Sequence, residues 1–592
     1  MNTLLAMAVA QAVLYSVIAW LSGAFAYGTN EVERPILAML ALFAATFALY
    51  FAAIRVAIRC PETWRLGWAI IAPALLFRCI LVPTDPIQEI DVYRYLWDGA
   101  VSARGLNPYR FAPAQVSAVD SEIVLNEELR SLVRLRDSSP AMAEVLGRIH
   151  YADLTTVYPP VSQAVFAVGN WLAPHDASAG ARVVILKMLL MTFDIGTIAL
   201  VWLLLKAAGK HPGWVVTYAW CPLVMKEFSN TGHLDSIAAF FTTAAVWCVV
   251  RLFARNAKAT RTSWLLVGAI LLALAVGTKL YAIVLLPVLC AAIAARARLS
   301  YAAMFAAVAA LLSAACLTPM LLTAPVSVDS PPPVLQGASD LSPEKAIESN
   351  AATEVINPPV PTTGLNAFVT GWEMNDFLFM LVLENIGPVD SNSQPTEAWF
   401  TVTPNAWREA IVIPIAKLLE TDVKTAAFLA TRIATTCVFL TIAVAFAWRV
   451  YQHANVNTVL EAAFLTLAWF WLLSPTQNPW YWIWALPLLP FARNRAWYAM
   501  SGLVMLYYVR FWLGYQFPDG PTFGIAYEGP RVFDFIVTWL EYAPWYAWLG
   551  IAAWRRHKQA ASNTGRGACV GSFTETFSQS AYHSEGLAIT KE

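Results

Sequence analysis

The chain has 592 residues, of which 58% are apolar and only 13% charged, with 25 tryptophans and a net charge of zero. That balance lies outside the range of soluble globular domains and makes the bilayer the expected solvent. There is neither a basic stripe nor an acidic tail, so the charge pattern gives no reason to expect a nucleic-acid partner.

Taken in chain order, apolar stretches that cross or nearly cross a bilayer run over 4–27, 35–54, 65–82, 183–206, 213–228, 234–253, 264–278, 280–295, 301–324, 425–449, 457–474, 479–492, 496–514 and 534–554. The expected fold is all-α and polytopic, a bundle of about 11–14 transmembrane helices. The first stretch has no Lys or Arg before it and is too long for a signal-peptide core, so it is expected to stay as a spanning helix. Cys60, Cys79, Cys221, Cys248, Cys290, Cys316, Cys437 and Cys569 form no CxxC pair and have no regular spacing, and are read as buried thiols.

Lys and Arg concentrate at 55–65, 251–261, 296–298, 493–495 and 555–558, which by the positive-inside rule are cytoplasmic. The amino terminus is then inside, and loops 83–158, 229–234, 325–424, 475–478 and 515–533 are outside. A full crossing by the apolar stretch 159–173 would invert every later loop. Its start at Tyr158-Pro159-Pro160 and its interruption by Gly169 and Asn170 make it a re-entrant or half-spanning element. The chain therefore divides into a membrane module 1–324 that carries the outer loop 83–158, a large outer loop 325–424, carboxy-terminal spans 425–556 and a disordered cytoplasmic tail 557–592. Within the large loop, a Pro/Ser/Asp-rich run gives way to amphipathic stretches at 368–385 and 408–419, read as interfacial helices.

Asp85, Glu89, Asp91 and Asp98 are the densest acidic cluster in a chain that otherwise avoids charge. On a helical projection Asp91, Arg94, Tyr95 and Asp98 share one side, with Val92, Tyr93, Leu96 and Trp97 on the other. This describes an amphipathic helix lying at the outer interface. One reading makes Arg94 a simple partner of Asp91 and Asp98. The other makes a carboxylate the base that deprotonates a hydroxyl, while cations at the outer helix ends (Arg78, Lys279, Arg432, Arg510) stabilise a departing phosphate. Asp235, beside His233, is either a helix N-cap or a ligand-facing pair with that histidine; no further His stands at a metal-ligand spacing. Lys187 and Asp194 share a face of one span, as a structural pair or as the coupling pair of a transporter or lipid-carrier flippase, the rival reading.

The stretch EIDVYRYLWDGAVSARGLNPY resembles the first outer loop of GT-C superfamily glycosyltransferases, in particular the polyprenyl-phosphate-mannose-dependent mannosyltransferase-like group. YPP at 158–160, KEFSNTGHLDSIAAFF, GTKLYAIVLLP, GWEMNDFLF and NPWYWIWALPLLP are similar to later segments of that group, in the same order, from about residue 89 to residue 490. The Pro-rich run after Pro325 is longer than the group's pattern.

The resemblance implies a hexosyltransferase, with mannose the expected sugar, that takes it from a polyprenyl phosphate and delivers it with inversion to a glycan, glycolipid or protein on the outer face of the inner membrane. It implies Asp91 as the catalytic base, with Tyr95 and Asp98 shaping the site. Lys279 is implied to hold the phosphate, with Arg78 and Arg432 as further candidates, and His233, Asp235 and Tyr481 to line sugar hydroxyls. Neither cofactor nor metal is expected. The expected partners are the lipid-linked sugar, the acceptor and membrane lipids.

Overall fold

The computed structural model describes residues 1–119, 126–254, 257–326, 363–389 and 397–570, and among them there are helices, turns and two isolated β-bridges but no strand. The Pro-rich run from 327 to 362 and the end of the tail from 571 lie outside the described residues.

A helix rises 1.5 Å per residue, so about 20 apolar residues cross the hydrocarbon core while satisfying their own backbone groups. Nine helices among the described residues are long and apolar enough to do so. The first three are α1 (Asn2–Leu21), α2 (Ile36–Ala57) and α3 (Trp64–Leu81). The others include Ala179–Ala207, Asp235–Phe253, Val423–Gln452 and Val456–Leu473. The shorter predicted stretches take another form. Residues 213–228 run through a 3-10 turn at Pro212–Val215, short helices at Val216–Ala219 and Pro222–Val224, and a π-helical turn at Met225–Asn230. Stretches 479–492 and 496–514 are likewise broken, the former between Pro479–Trp482 and Leu486–Phe491. Pro212, Pro222, Pro479 and Pro487 remove donors at the start of several of these turns, and the irregular backbone is tolerated where neighbouring helices enclose it.

The stretch at 159–173 forms one helix, Pro160–Leu172, whose 13 residues are about 20 Å long and too short to span. It packs on α4 (Val92–Ala103). Close contact depends on Gly99, where an added Cβ would sit 2.4 Å from the carbonyl oxygen of Phe166.

The position of α4 corrects one expectation. Instead of lying against headgroups it is enclosed by protein, with every residue from Val92 to Val101 buried. Its apolar side packs on Leu129, Leu132 and Val133 of the Glu127–Arg136 helix and on Met142 and Val145 of Pro140–Gly147. Of the two stretches expected to be interfacial, the second lies on the helix Asn405–Leu419, which exposes Trp407, Ile411 and Leu418. Two cysteines also depart from the expected burial: Cys79 and Cys437 are exposed on spanning helices. The last helix runs Thr538–Val570, past the boundary drawn at 557.

Candidate active site

Loops 83–158, 325–424, 475–478 and 515–533, which the charge pattern assigns to one side, all contribute to a cavity of about 550 Å³. Glu89, Asp91 and Arg94 come from the first loop and the start of α4. Tyr151 and Tyr158 precede the half-length helix, Lys279 lies between two helices, Trp372 and Glu373 come from the large loop, and Trp480 and Tyr481 follow the 475–478 turn. This volume lies within the usual range for small-ligand sites.

Asp91 stands at the N-terminal boundary of α4. Its Oδ2 accepts a hydrogen bond from Tyr158 Oη at 3.1 Å and a longer one from Tyr95 Oη at 3.5 Å. Tyr95 is held from behind, stacked on Phe166 with ring centroids 4.6 Å apart. Burial and the charge of Asp91 push the Tyr158 hydroxyl well above its ordinary pKa, so it remains a donor. Arg94 divides the two sequence readings of this helix. Its Nε bonds Asp98 Oδ1 at 2.9 Å and its Nη1 bonds the Leu154 carbonyl at 3.1 Å, whereas Asp91 takes tyrosines. Asp98 is buried behind the cavity wall, where it also accepts from Gln163 at 3.3 Å.

Glu89 faces the same space. Its Oε1 accepts from Tyr507 Oη at 3.0 Å, and burial, reinforced by the negative charge of Asp91, pushes its carboxyl up to about 8. Nothing in the sequence marks Tyr507 or Trp372 as neighbours of the acidic cluster; Tyr158, the tyrosine of the YPP motif, is the one readable hint.

Lys279 Nζ donates to Asp235 Oδ1 at 2.7 Å and lies 4.0 Å from the centroid of the Tyr481 ring, a cation–π contact. Trp484 Nε1 donates to the same Asp235 oxygen at 2.6 Å, and Oδ2 has no hydrogen-bond partner. Asp235 is therefore not an N-cap: its side chain makes no cap bond to the Asp235–Val250 helix. His233 sits one layer back, stacked on Trp480 at 4.1 Å with its Nε2 3.3 Å from Glu227 Oε2.

Of the remaining candidate cations, Arg510 lines the cavity, and Arg78 and Arg432 are elsewhere. Arg78 is fully buried against Asp194, with Nε 2.6 Å from Oδ2, and does not line the cavity. Arg432 Nη1 donates to the carbonyls of Phe368 and Val369 at 3.1 and 2.9 Å, outside the lining. Lys187 Nζ donates to the Thr84 carbonyl at 2.7 Å, so Lys187 and Asp194 have separate partners and are not brought together as a coupling pair. Among the described residues no three His, Cys, Asp or Glu side chains form a group able to hold a metal ion.

Nine helices among the described residues long and apolar enough to span, broken segments walled in by protein, and a cavity lined by both carboxylates and a lysine define a polytopic membrane protein with a candidate ligand site. Residues 2–296 match the family model described as "Alpha-(1->6)-mannopyranosyltransferase, N-terminal domain". Through that half the chain belongs to this mannosyltransferase family of the GT-C kind, and is a membrane glycosyltransferase. No curated protein and no solved structure matches the chain.

Proposed function

We propose that this enzyme moves a mannosyl unit from a polyprenyl phosphate carrier to a hydroxyl of a glycan, glycolipid or protein, on the outer face of the inner membrane, with the amino terminus in the cytoplasm. The observation that carries the reading is that Asp91 and Lys279, from elements far apart in sequence, line one cavity of about 550 Å³. Both tyrosine bonds on Asp91 fall on Oδ2, which leaves Oδ1 to take a proton.

In the proposed step the acceptor hydroxyl gives its proton to Asp91 as its oxygen attacks the anomeric carbon. The new C–O bond forms in line with the bond to the phosphate oxygen, which breaks, and its electron pair leaves on the phosphate. Polyprenyl phosphate departs as an anion, so no general acid is required; Lys279 stabilises the charge that develops there. Tyr481 holds the lysine in place through its ring, and the cavity aromatics Trp372 and Trp480 offer flat faces to the sugar. In-line displacement inverts the anomeric centre. The family's printed linkage is α, so the donor in this scheme carries a β-linked sugar.

The test is Asp91→Asn in membranes that contain the full chain. General-base catalysis contributes about 10²–10⁴-fold, and transfer from polyprenyl-phosphate-mannose is expected to fall by that factor at unchanged protein level. Transfer that survives the substitution removes Asp91 as the base. A Tyr151→Cys chain otherwise free of cysteine is expected to react with an impermeant maleimide from the outer side; labelling only from the cytoplasm overturns the orientation.

A further inference from the structure

The catalytic cavity has a neighbour. A second chamber of about 410 Å³ adjoins it across Glu373, Met374 and Arg510, which line both. The dividing segment is held rigidly. Met374 N donates to the Pro475 carbonyl at 2.9 Å, Gln477 N donates back to the Met374 carbonyl at 2.8 Å, and the Asn375 side chain donates to the Gln477 carbonyl at 3.2 Å.

Past this wall lies Asp376, a lining residue only 4% exposed, whose buried Oδ2 has no hydrogen-bond partner among the described residues. An unpaired buried carboxyl oxygen costs free energy unless something bonds it. Five carboxylates (Glu373, Asp376, Glu384, Glu397, Asp534) and four cations (Arg408, Lys424, Arg510, Arg531) line the space. Burial, with the charge of Asp376 and Asp534 on Glu373 and of Asp534 on Asp376, pushes Glu373 and Asp376 well above the ordinary carboxylate range; with both protonated the formal charge of the lining goes from −1 to +1, within one charge of neutral either way. Such a chamber selects neither a strong anion nor a strong cation. It offers hydrogen-bond acceptors and donors in alternation, with Met380 and Phe535 as apolar patches, which suits a neutral ligand that has hydroxyls on its edges and C–H groups on its faces.

We propose that this chamber is a second sugar subsite, which holds the neighbouring unit of a neutral oligosaccharide acceptor while the terminal unit reaches Asp91. The proposal rests on the reading of the first cavity as the transfer site. It makes Asp376 a binding residue that discriminates acceptors by length.

Binding of acceptor alone tests it without chemistry. The full chain is placed in lipid nanodiscs and titrated with methyl α-mannoside and with an α-(1→6)-linked mannotetraoside. The wild type is expected to bind the tetraoside at least about tenfold more tightly, the scale of one or more hydrogen bonds. Asp376→Ala is expected to bring the tetraoside to the affinity of the monosaccharide, whose own binding is unchanged. Thr401→Trp, which puts a bulky ring into the chamber from a half-buried position and leaves Asp376 in the sequence, is expected to do the same. Equal affinities for the two ligands in the wild type, or full length discrimination in both variants, overturn the proposal. A wild type that binds the tetraoside tightly but does not elongate it from polyprenyl-phosphate-mannose supports the subsite and sinks the donor assignment.

Discussion

The buried pair Arg78–Asp194 separates a structural role from a functional one. Both side chains have no exposed surface. Arg78 makes two bonds to the carboxylate, at 2.6 and 3.1 Å, and two more from Nη1 to the carbonyls of Ala74 and Ala219, each 2.9 Å; Tyr218 Oη adds a 2.8 Å bond to Asp194. The pair thereby ties α3 to the Ala179–Ala207 helix and to the broken segment at 216–219. Removing one partner of such a pair leaves an uncompensated buried charge and costs about 3–5 kcal/mol. Asp194→Ala and Arg78→Ala are each expected to lose that much. Arg78→Met combined with Asp194→Leu removes both charges and keeps the volume, and is expected to be less destabilised than either single variant and to recover most of the loss. Unfolding of the full chain in mixed micelles, followed by tryptophan fluorescence, measures it. Asp194→Ala as stable as wild type, or a double variant worse than either single one, refutes the reasoning. Stability retained with function lost would instead favour the transporter reading.

Lys279→Met is expected to lower kcat by about 10²–10³-fold, the range for removing one preorganised donor from a developing anion. Adding Asp235→Asn relieves the stranded carboxylate but is not expected to restore the rate; recovery in the double variant would mean that Lys279 only neutralises Asp235. Glu89 titrates with a raised folded-state pKa, to about 8 against an ordinary value near 4.5, because of burial and then Asp91. The folded state therefore holds a proton that the unfolded chain has released, and stability falls between about pH 4.5 and 8 by up to about 1.4 kcal/mol per unit. Glu89→Gln is expected to flatten that decline in unfolding midpoints measured from pH 5 to 9; an unchanged slope removes Glu89 as its source. Gly99→Ala is expected to cost about 1–3 kcal/mol and to reduce transfer, because its Cβ meets backbone at Phe166 and must push α4 off the half-length helix. Gly180→Ala, whose Cβ would meet nothing within 4 Å, is the control expected to leave both unchanged.

How much of this was legible depends on whether the information is local. Long spans are written in consecutive apolar residues because lipid requires it, and α1, α2, α3 and Ala179–Ala207 follow the sequence pattern closely. The half-length helix at 160–172 was legible from charge bookkeeping and its Tyr-Pro-Pro start, but it runs unbroken through Gly169 and Asn170, where the sequence suggested an interruption. The burial of α4 was not legible. Its cover comes from Glu127–Arg136, whose charged surface reads as a polar loop and whose Leu129, Leu132 and Val133 form too narrow a stripe to announce a partner. Pairings across the bundle were also hidden. Lys279 and Asp235 are 44 residues apart, and Arg78 and Asp194 are 116 apart; a cation at a helix end looks the same in sequence whether it meets a carboxylate or a ligand.

The ion pairing of the fold narrows the choice of base further than position does. Among the described residues Asp98 is paired with Arg94, Asp194 with Arg78, Glu227 with Lys226 and Asp235 with Lys279. The three carboxylates that line the cavity are Glu89, Asp91 and Glu373. Burial pushes Glu89 up to about 8 and Glu373 well above its ordinary range, so each keeps a proton near neutrality and cannot accept another. Asp91 faces the same space, bonded through one oxygen to hydroxyls that remain protonated, and shares no ion pair with Arg94 one turn away. A base must be ionised and must not be held by a cation that would lower its proton affinity. The acidic cluster singled out by composition holds several carboxylates; the surrounding tyrosines and arginine, not its density, leave one of them fit for that role.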